Sequence, residues 1–259
     1  MIMLMRSATA IQIGEVWDAA SVERVPALNS GAVHLWKRQL EVTTAEVDAY
    51  YQLLSNDERE RALRFHIERP RRDFVVTRGT LRLLLAHYLE NTPRDLRFRY
   101  EVQGKPVLDG EESLHFNVSH ANGLALMAFV QRRAVGVDVE NMGRETEASR
   151  LAKRFFSTQE RAAIQRLRGD ELQAAFFRCW TRKEAYIKAK GEGLALPLHQ
   201  FDVSIAANDR DALLATRPDP AEVDKWMISD IPVGPGYVAA VAVATEECCG
   251  KVVTLKDLN

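Results

Sequence analysis

The sequence predicts an α+β fold, and three observations carry that expectation. Two long stretches, 71–89 and 170–190, set apolar residues at helical spacing: Phe74, Leu81, Leu84, Leu85 and Tyr88 in the first, Leu172, Phe176, Phe177, Trp180 and Ile187 in the second. Between them lie short segments of period two, with Leu114, Phe116 and Val118 in one and Val135, Val137 and Val139 in another. The apolar segment 124–130 reads as a strand, Gln131-Arg132-Arg133 as its turn, and 134–140 as the strand that returns beside it.

Composition sets wide bounds. A chain of 259 residues, 46% hydrophobic, can bury a substantial core as one large domain or two small ones. A formal net charge of -1 gives no global attraction to nucleic acid or membrane. The three cysteines, two of them adjacent at Cys248 and Cys249, offer neither a disulfide framework nor a zinc spacing, so a reducing cytoplasm is expected. Arg6 interrupts the apolar start too early for a signal peptide, and no run approaches the ~18 apolar residues of a membrane span.

Taken in order, Ile11, Ile13 and Val16 precede a strand-like segment at 33–40. Thr43 or Thr44 with Glu46 opens a helix over 45–54, and Ser55 with Glu58 repeats the capping-box pattern. Arginine then recurs at 59, 61, 64, 69, 71, 72, 78 and 82, and Pro70 is expected to break this segment between two helices. A solvated basic face accounts for several of these arginines. The functional alternative is an anion site, since guanidinium forks match phosphate oxygens. Leu96, Phe98 and Tyr100 alternate as a strand before the turn Gly104-Lys105-Pro106. Residues 145–168 read as helical with a fresh cap at Ser157 and Glu160; 194–197 and 201–205 as extended; 208–220 as loop; 226–231 and 236–244 as strands; and the tail after 245 as peripheral.

The segment 180–194, WTRKEAYIKAKGEGL, organises the rest. Asp170 with Gln173 suits the start of its helix, and Gly191 and Gly193 suit its end, where a backbone could approach a ligand closely. Glu184 and Lys188 stand four apart and share a face, with Trp180 four before Glu184. An isolated pair of this kind is ordinarily a solvated ion pair of little energetic consequence. A second acidic pair argues for more. In AVGVDVE, 134–140, the period of two puts Asp138 and Glu140 on one face, roughly 7 Å apart along the strand. The bland alternative is the polar outer face of an edge strand. Two neighbouring acids repel unless positive charge lies between them, and with Glu184 as a third oxygen donor a shared hard cation is expected. His120 follows Ser119 at the end of the strand beginning at Leu114, where polar side chains and free amides meet ligands.

The ordered set GKP (104–106), NVSH (117–120), GVDVE (136–140) and W-x-x-KEA-x-x-K (180–188) resembles the phosphopantetheinyl transferases, in their large, pseudo-dimeric, surfactin-type class. The likeness runs from about Ser55 to Leu194; the last two motifs are specific and GKP alone is not. It implies two similar halves, 1–131 and 132–259, each a small antiparallel sheet on a long helix, with coenzyme A in the cleft between them. It implies transfer of 4'-phosphopantetheine from coenzyme A to a serine of an apo acyl, peptidyl or aryl carrier protein, releasing 3',5'-ADP. By the same resemblance Asp138, Glu140 and Glu184 hold Mg²⁺, and Glu184 is the general base, directly or through a metal-bound water. Lys188 serves the pyrophosphate, and Arg61, Lys105, Ser119 and His120 hold coenzyme A. Glu58 stands where some relatives carry a second basic residue, which would thin the 3'-phosphate clamp unless Arg71, Arg72 or Arg78 substitutes. A cytoplasmic monomer without nucleic-acid or membrane partners completes the expectation. The same acids, arginines and lysine would also serve a magnesium-dependent hydrolase of a nucleotide diphosphate, and only the resemblance separates the two. A non-catalytic module binding carrier proteins would have no need of the acidic trio.

Overall fold

The computed structural model describes residues 12–18, 25, 27–143, 146–207, 209 and 212–245. Two halves follow one another, each a small, mainly antiparallel sheet packed on one long helix. The first half comprises β1 (Gln12–Asp18), β2 (Ala32–Gln39), α1 (Thr44–Leu53), α2 (Asn56–Leu63), α3 (Glu68–Tyr88), β3 (Phe98–Tyr100), β4 (Pro106–Leu108), β5 (Leu114–Ala121) and β6 (Leu124–Gln131). The second comprises β7 (Val135–Asn141), α4 (Ala148–Phe155), α5 (Thr158–Ile164), α6 (Gly169–Lys190), β8 (Phe201–Val203), β9 (Leu213–Thr216), β10 (Trp226–Asp230) and β11 (Tyr237–Ala244). The main sheets run β1-β2-β6-β5 and β10-β11-β7, with two-stranded ribbons β3-β4 and β8-β9. Among the described residues every strand pairing is antiparallel except β1 with β2, which run parallel.

Period two decides where the cores sit. In β6, Ala125, Met127 and Phe129 face α3 with Val76, Leu81 and Leu85, whereas Leu124, Leu126, Ala128 and Val130 face away. That second face meets Val135, Val137 and Val139 of β7 and Val241 and Val243 of β11, forming a core between the halves. The alternate residues Ala240 and Ala242 of β11 pack with Phe176, Tyr186 and Ile187 of α6. Each fully buried Val or Leu contributes about 1.5–3 kcal/mol, so the apolar seam itself joins the halves.

The expected return of 134–140 beside 124–130 is corrected. Arg132, at φ +51°, turns the chain out of the first sheet, and β7 pairs with β11 instead. On the side toward the first half its amides are met by side chains: Val137 N–H donates to Asn117 Oδ1 (2.9 Å) and Val139 N–H to Ser119 Oγ (3.4 Å). Nor is β7 a half-solvated strand, because Gly136 and Asp138 are buried as well as the valines.

Helix starts follow their caps where caps exist. Thr43 begins α1 with a reciprocal capping box to Glu46, as expected. Ser55 begins α2, its N–H donating to Glu58 (3.1 Å), and Ser157 begins α5, its N–H donating to Glu160 (2.9 Å). Pro70 does not separate two helices as expected. It lies in the first turn of α3, where a missing N–H leaves no bond unmade. Asp170 is not the cap of α6: the helix starts at Gly169 after Arg168, and Gln173 donates to Met142 O (2.7 Å) instead of closing a box. Gly191 ends α6 in the left-handed conformation at φ +72°. Of the stretches expected to be extended beyond it, 201–205 includes β8, whereas 194–197 begins within a 3₁₀ turn, Gly193–Ala195; a second such turn, Leu198–Gln200, precedes β8, and the loop expected at 208–220 includes β9. Residues 246–259, with Cys248 and Cys249, and the opening residues to 11 lie outside the described residues. No helix among the described residues is long and apolar enough to cross a membrane.

Candidate functional site

The strand β7 and the helix α6 lie in direct backbone contact, and Gly136 permits it. A Cβ there would stand 2.1 Å from Ala185 O and 2.3 Å from Ala189 N. Asp138, two residues on and facing the same way, is thereby carried to the side of α6 that presents Glu184 and Lys188. The period of two on the strand and the four-residue spacing on the helix converge on one cavity of about 380 Å³. Ser119 and His120, at the end of β5, form another wall; Glu140 and Trp180 complete the lining with Val118 and Val139.

Lys188 Nζ donates to Asp138 Oδ1 (2.6 Å), to Ser119 Oγ (3.1 Å) and to Val137 O (3.4 Å). Ser119 also donates to Asp138 Oδ1 (2.9 Å). Asp138 Oδ2 is buried and accepts no hydrogen bond. The Glu184 carboxyl is pushed up to about 7, first by burial, then by the Asp138 charge, against a lowering by Lys188 and with a further rise from Glu140. Three acids thus crowd one ammonium, and the orphaned Asp138 oxygen and this excess of negative charge suit a hard cation. As the side chains stand, no three His, Cys, Asp or Glu groups among the described residues close on a single point. The Lys188 ammonium is the positive charge that meets Asp138, at 2.6 Å.

Of the residues expected at the site, Ser119, His120, Asp138, Glu140, Glu184 and Lys188 are brought together, and Arg61 and Lys105 do not line this cavity. Arg61 is exposed, its guanidinium 5.2 Å from the Phe74 ring centroid and 5.9 Å from that of Tyr100. Lys105 Nζ donates to Lys188 O (2.9 Å) and Val135 O (3.3 Å). Glu58 is buried and bound to Arg82 (2.6 Å), with Arg78 at 3.6 Å. Arg72, considered as a substitute, donates to Val42 O (2.7 Å).

Sequence reasoning missed two things. Asp73 is half-buried near His120, and burial raises its carboxyl despite the Arg69 and His120 charges that lower it. Its place at helical spacing beside Arg69 and Arg72 on α3 was the available signal. Lys183, inside the KEA motif, is fully buried on Glu160 (2.9 Å), Leu198 O and Phe201 O, away from the cavity. The capping box at Ser157 and Glu160 held a clue, since a buried N3 carboxylate requires a partner.

A family model described as the 4'-phosphopantetheinyl transferase superfamily matches residues 134–242, and one described as 4'-phosphopantetheinyl transferase, N-terminal, matches 38–131. The chain is 38% identical over 220 residues to the 4'-phosphopantetheinyl transferase HetI of a Nostoc species, covering 84% of this chain and 90% of the relative. It is 28% identical to the 4'-phosphopantetheinyl transferase Sfp of Bacillus subtilis, over 77% of this chain and 86% of the relative. A putative 4'-phosphopantetheinyl transferase of a Synechocystis species is 32% identical over 78% of this chain and 83% of the relative.

Proposed function

We propose, proceeding from the fact that the chain belongs to the 4'-phosphopantetheinyl transferase superfamily, that the cavity between β5, β7 and α6 is where the phosphopantetheinyl group is transferred. The observation that carries this reading is the meeting of Asp138, Glu184 and Lys188 across two elements held in backbone contact. Coenzyme A is the donor substrate, the serine hydroxyl of an apo carrier protein is the acceptor, and 3',5'-ADP leaves. The halves divide at 131/132.

Glu184 is the base. It takes the serine proton directly or through a metal-bound water: burial and the Asp138 charge raise its carboxyl to about 7 without a cation, and a bound cation would lower it. The serine oxygen then attacks the phosphorus next to pantetheine, and the bond from that phosphorus to the ADP oxygen breaks. Phosphoryl transfer of this type depends on positioning and charge neutralisation and needs no covalent enzyme intermediate. Lys188, anchored on Asp138 and Ser119, sets a positive charge where negative charge builds on the leaving group. Ser119 and His120 line the wall that receives the donor, and Arg61 stands over Phe74 and Tyr100 as a contact for its phosphates. Asp138, Glu140 and Glu184 would hold Mg²⁺, which supplies charge neutralisation to the pyrophosphate when bound.

The test is mass spectrometry of several apo carrier proteins incubated with the enzyme, coenzyme A and Mg²⁺. A carrier that gains one phosphopantetheine, with 3',5'-ADP formed in step and no gain in excess chelator, supports the reading and identifies the preferred carrier. Release of 3',5'-ADP without any acceptor would favour a hydrolase.

A further inference from the structure

The ribbon of β3 and β4 belongs to the first half, yet its turn lies against the last turn of α6. Lys105, half-buried, reaches two backbone carbonyls there, one on each element that builds the cavity: Lys188 O on α6 and Val135 O on β7. Lys188 O is among the last four carbonyls of the helix, which lack the regular partner four residues further on. It also accepts from the Gly191 N–H (3.3 Å). Beyond it, Gly193 at φ +54° leaves room for Gln103 of the same turn, since a Cβ at Gly193 would lie 2.9 Å from Gln103 Cγ. A Cβ at Gly191 would lie 3.2 Å from Glu101 Oε2. The close approach that the two glycines allow is therefore made by the ribbon of the first half.

We infer that Lys105 is a positioning residue. Its ammonium staples the end of α6 to the start of β7 and so fixes where Glu184 and Lys188 stand relative to Asp138. Lys188 is held at both ends, its carbonyl by Lys105 outside the cavity and its ammonium by Asp138 within it. Losing the outer contact frees the last turn of α6, and the catalytic geometry loosens without loss of any group that touches substrate. The kinetic part of this inference rests on the reading of the cavity as the transfer site; the structural part does not.

The experiment compares the full-length wild type with Lys105→Met and Lys105→Arg. Hydrogen exchange, followed by mass spectrometry, is to rise in Lys105→Met over the end of α6 and the start of β7 and stay unchanged in α3. Turnover is to fall about tenfold to a hundredfold while KM for coenzyme A moves by less than about twofold. The ratio of activities with coenzyme A and dephospho-coenzyme A stays as in wild type. Lys105→Arg recovers part of the turnover, because its fork can still donate to two carbonyls. A rise in KM with turnover intact, or a loss seen with coenzyme A and not with dephospho-coenzyme A, would assign the ammonium to a phosphate and overturn the inference. Unchanged exchange in Lys105→Met overturns it whatever the activity, and that readout stands even if the wild type transfers nothing. Should Lys105→Met fail to fold, Gly193→Ala displaces Gln103 with Lys105 in place and is to raise exchange in the same turn; unchanged exchange there counts equally against the staple.

Discussion

Gly136→Ala is the smallest change that separates the two elements of the cavity. The added methyl would meet Ala185 O at 2.1 Å, Ala189 N at 2.3 Å and Lys188 C at 2.9 Å. All three are backbone atoms of one helix, so no rotamer change relieves the contact, and α6 must retreat from β7 by roughly 1 Å. Overpacking of this kind costs about 1–3 kcal/mol or somewhat more. The retreat also stretches the 2.6 Å bond from Lys188 to Asp138. A displacement of ~1 Å at a reacting centre lowers turnover by roughly a hundredfold. Urea unfolding at constant pH measures the first quantity and steady-state transfer to a carrier protein measures the second. Gly110→Ala is the control: at φ +77° with nothing within 4 Å of the new methyl, it strains the backbone by ~1 kcal/mol and leaves turnover alone. A Gly136→Ala protein within ~0.5 kcal/mol of wild type and with wild-type turnover would refute the backbone contact and the geometry built on it.

Two lysines of α6 should part company. Lys183→Met leaves Glu160 buried without its cation and is expected to cost about 3–5 kcal/mol in urea unfolding. Lys188→Ala should change stability by under ~1.5 kcal/mol, with a fall in turnover larger than any loss of coenzyme A affinity. His120→Ala and Arg61→Ala are expected to weaken coenzyme A more than dephospho-coenzyme A if they meet the 3'-phosphate, as calorimetry with both ligands will show. Burial lowers the His34 imidazole to about 4, against 6.5 for an ordinary one. Above pH 6.5 neither the folded nor the unfolded chain holds that proton; between 6.5 and 4 only the unfolded chain does, so stability falls with acid and levels off below 4. The total is about 3 kcal/mol, and denaturation midpoints between pH 8 and 4.5 should fall less steeply in His34→Gln.

How much could be read beforehand varies with how local each cause is. The long helices and the alternating strands follow from side-chain period, and so does the side of α6 that carries Trp180, Glu184 and Lys188. The caps at Thr43, Ser55 and Ser157 are equally local. Strand partnership is not local. Nothing in 124–140 says that β7 leaves the sheet of β6, because that choice is made by β11, about a hundred residues away, and by the side chains of Asn117 and Ser119. Gly191 and Gly193 were legible as places of close approach, but not what approaches, since Glu101 and Gln103 belong to the other half. Lys105 was assigned to a ligand on motif alone. That its ammonium also donates to two backbone carbonyls is visible only once both halves are folded.

The two halves also share a device that explains why adjacent residues of one motif do different work. In the first half the capping carboxylate of α2, Glu58, is buried against Arg82 of the long helix α3. In the second the capping carboxylate of α5, Glu160, is buried against Lys183 of the long helix α6. Each carboxylate accepts an N–H at its own helix start and a cation from the long helix, which fixes the short helix on the long one. Successive residues on a helix point about 100° apart, so with Lys183 directed to Glu160, Glu184 faces a different neighbour, the cavity wall that β7 supplies. One turn later Lys188 returns to that same wall. Lys183 and the pair Glu184 and Lys188 thus serve different neighbours of one helix, Glu160 for the first and the cavity beside Asp138 for the others. Shifting Lys183 by one position would disturb the cavity more than removing its charge would. Moving it, by the exchange Lys183→Glu with Glu184→Lys, should abolish transfer and destabilise the fold together, whereas Lys183→Arg should retain measurable transfer in the fraction that folds. Transfer at wild-type rate by the exchanged protein would overturn both the role of Glu184 as base and the structural role of Lys183.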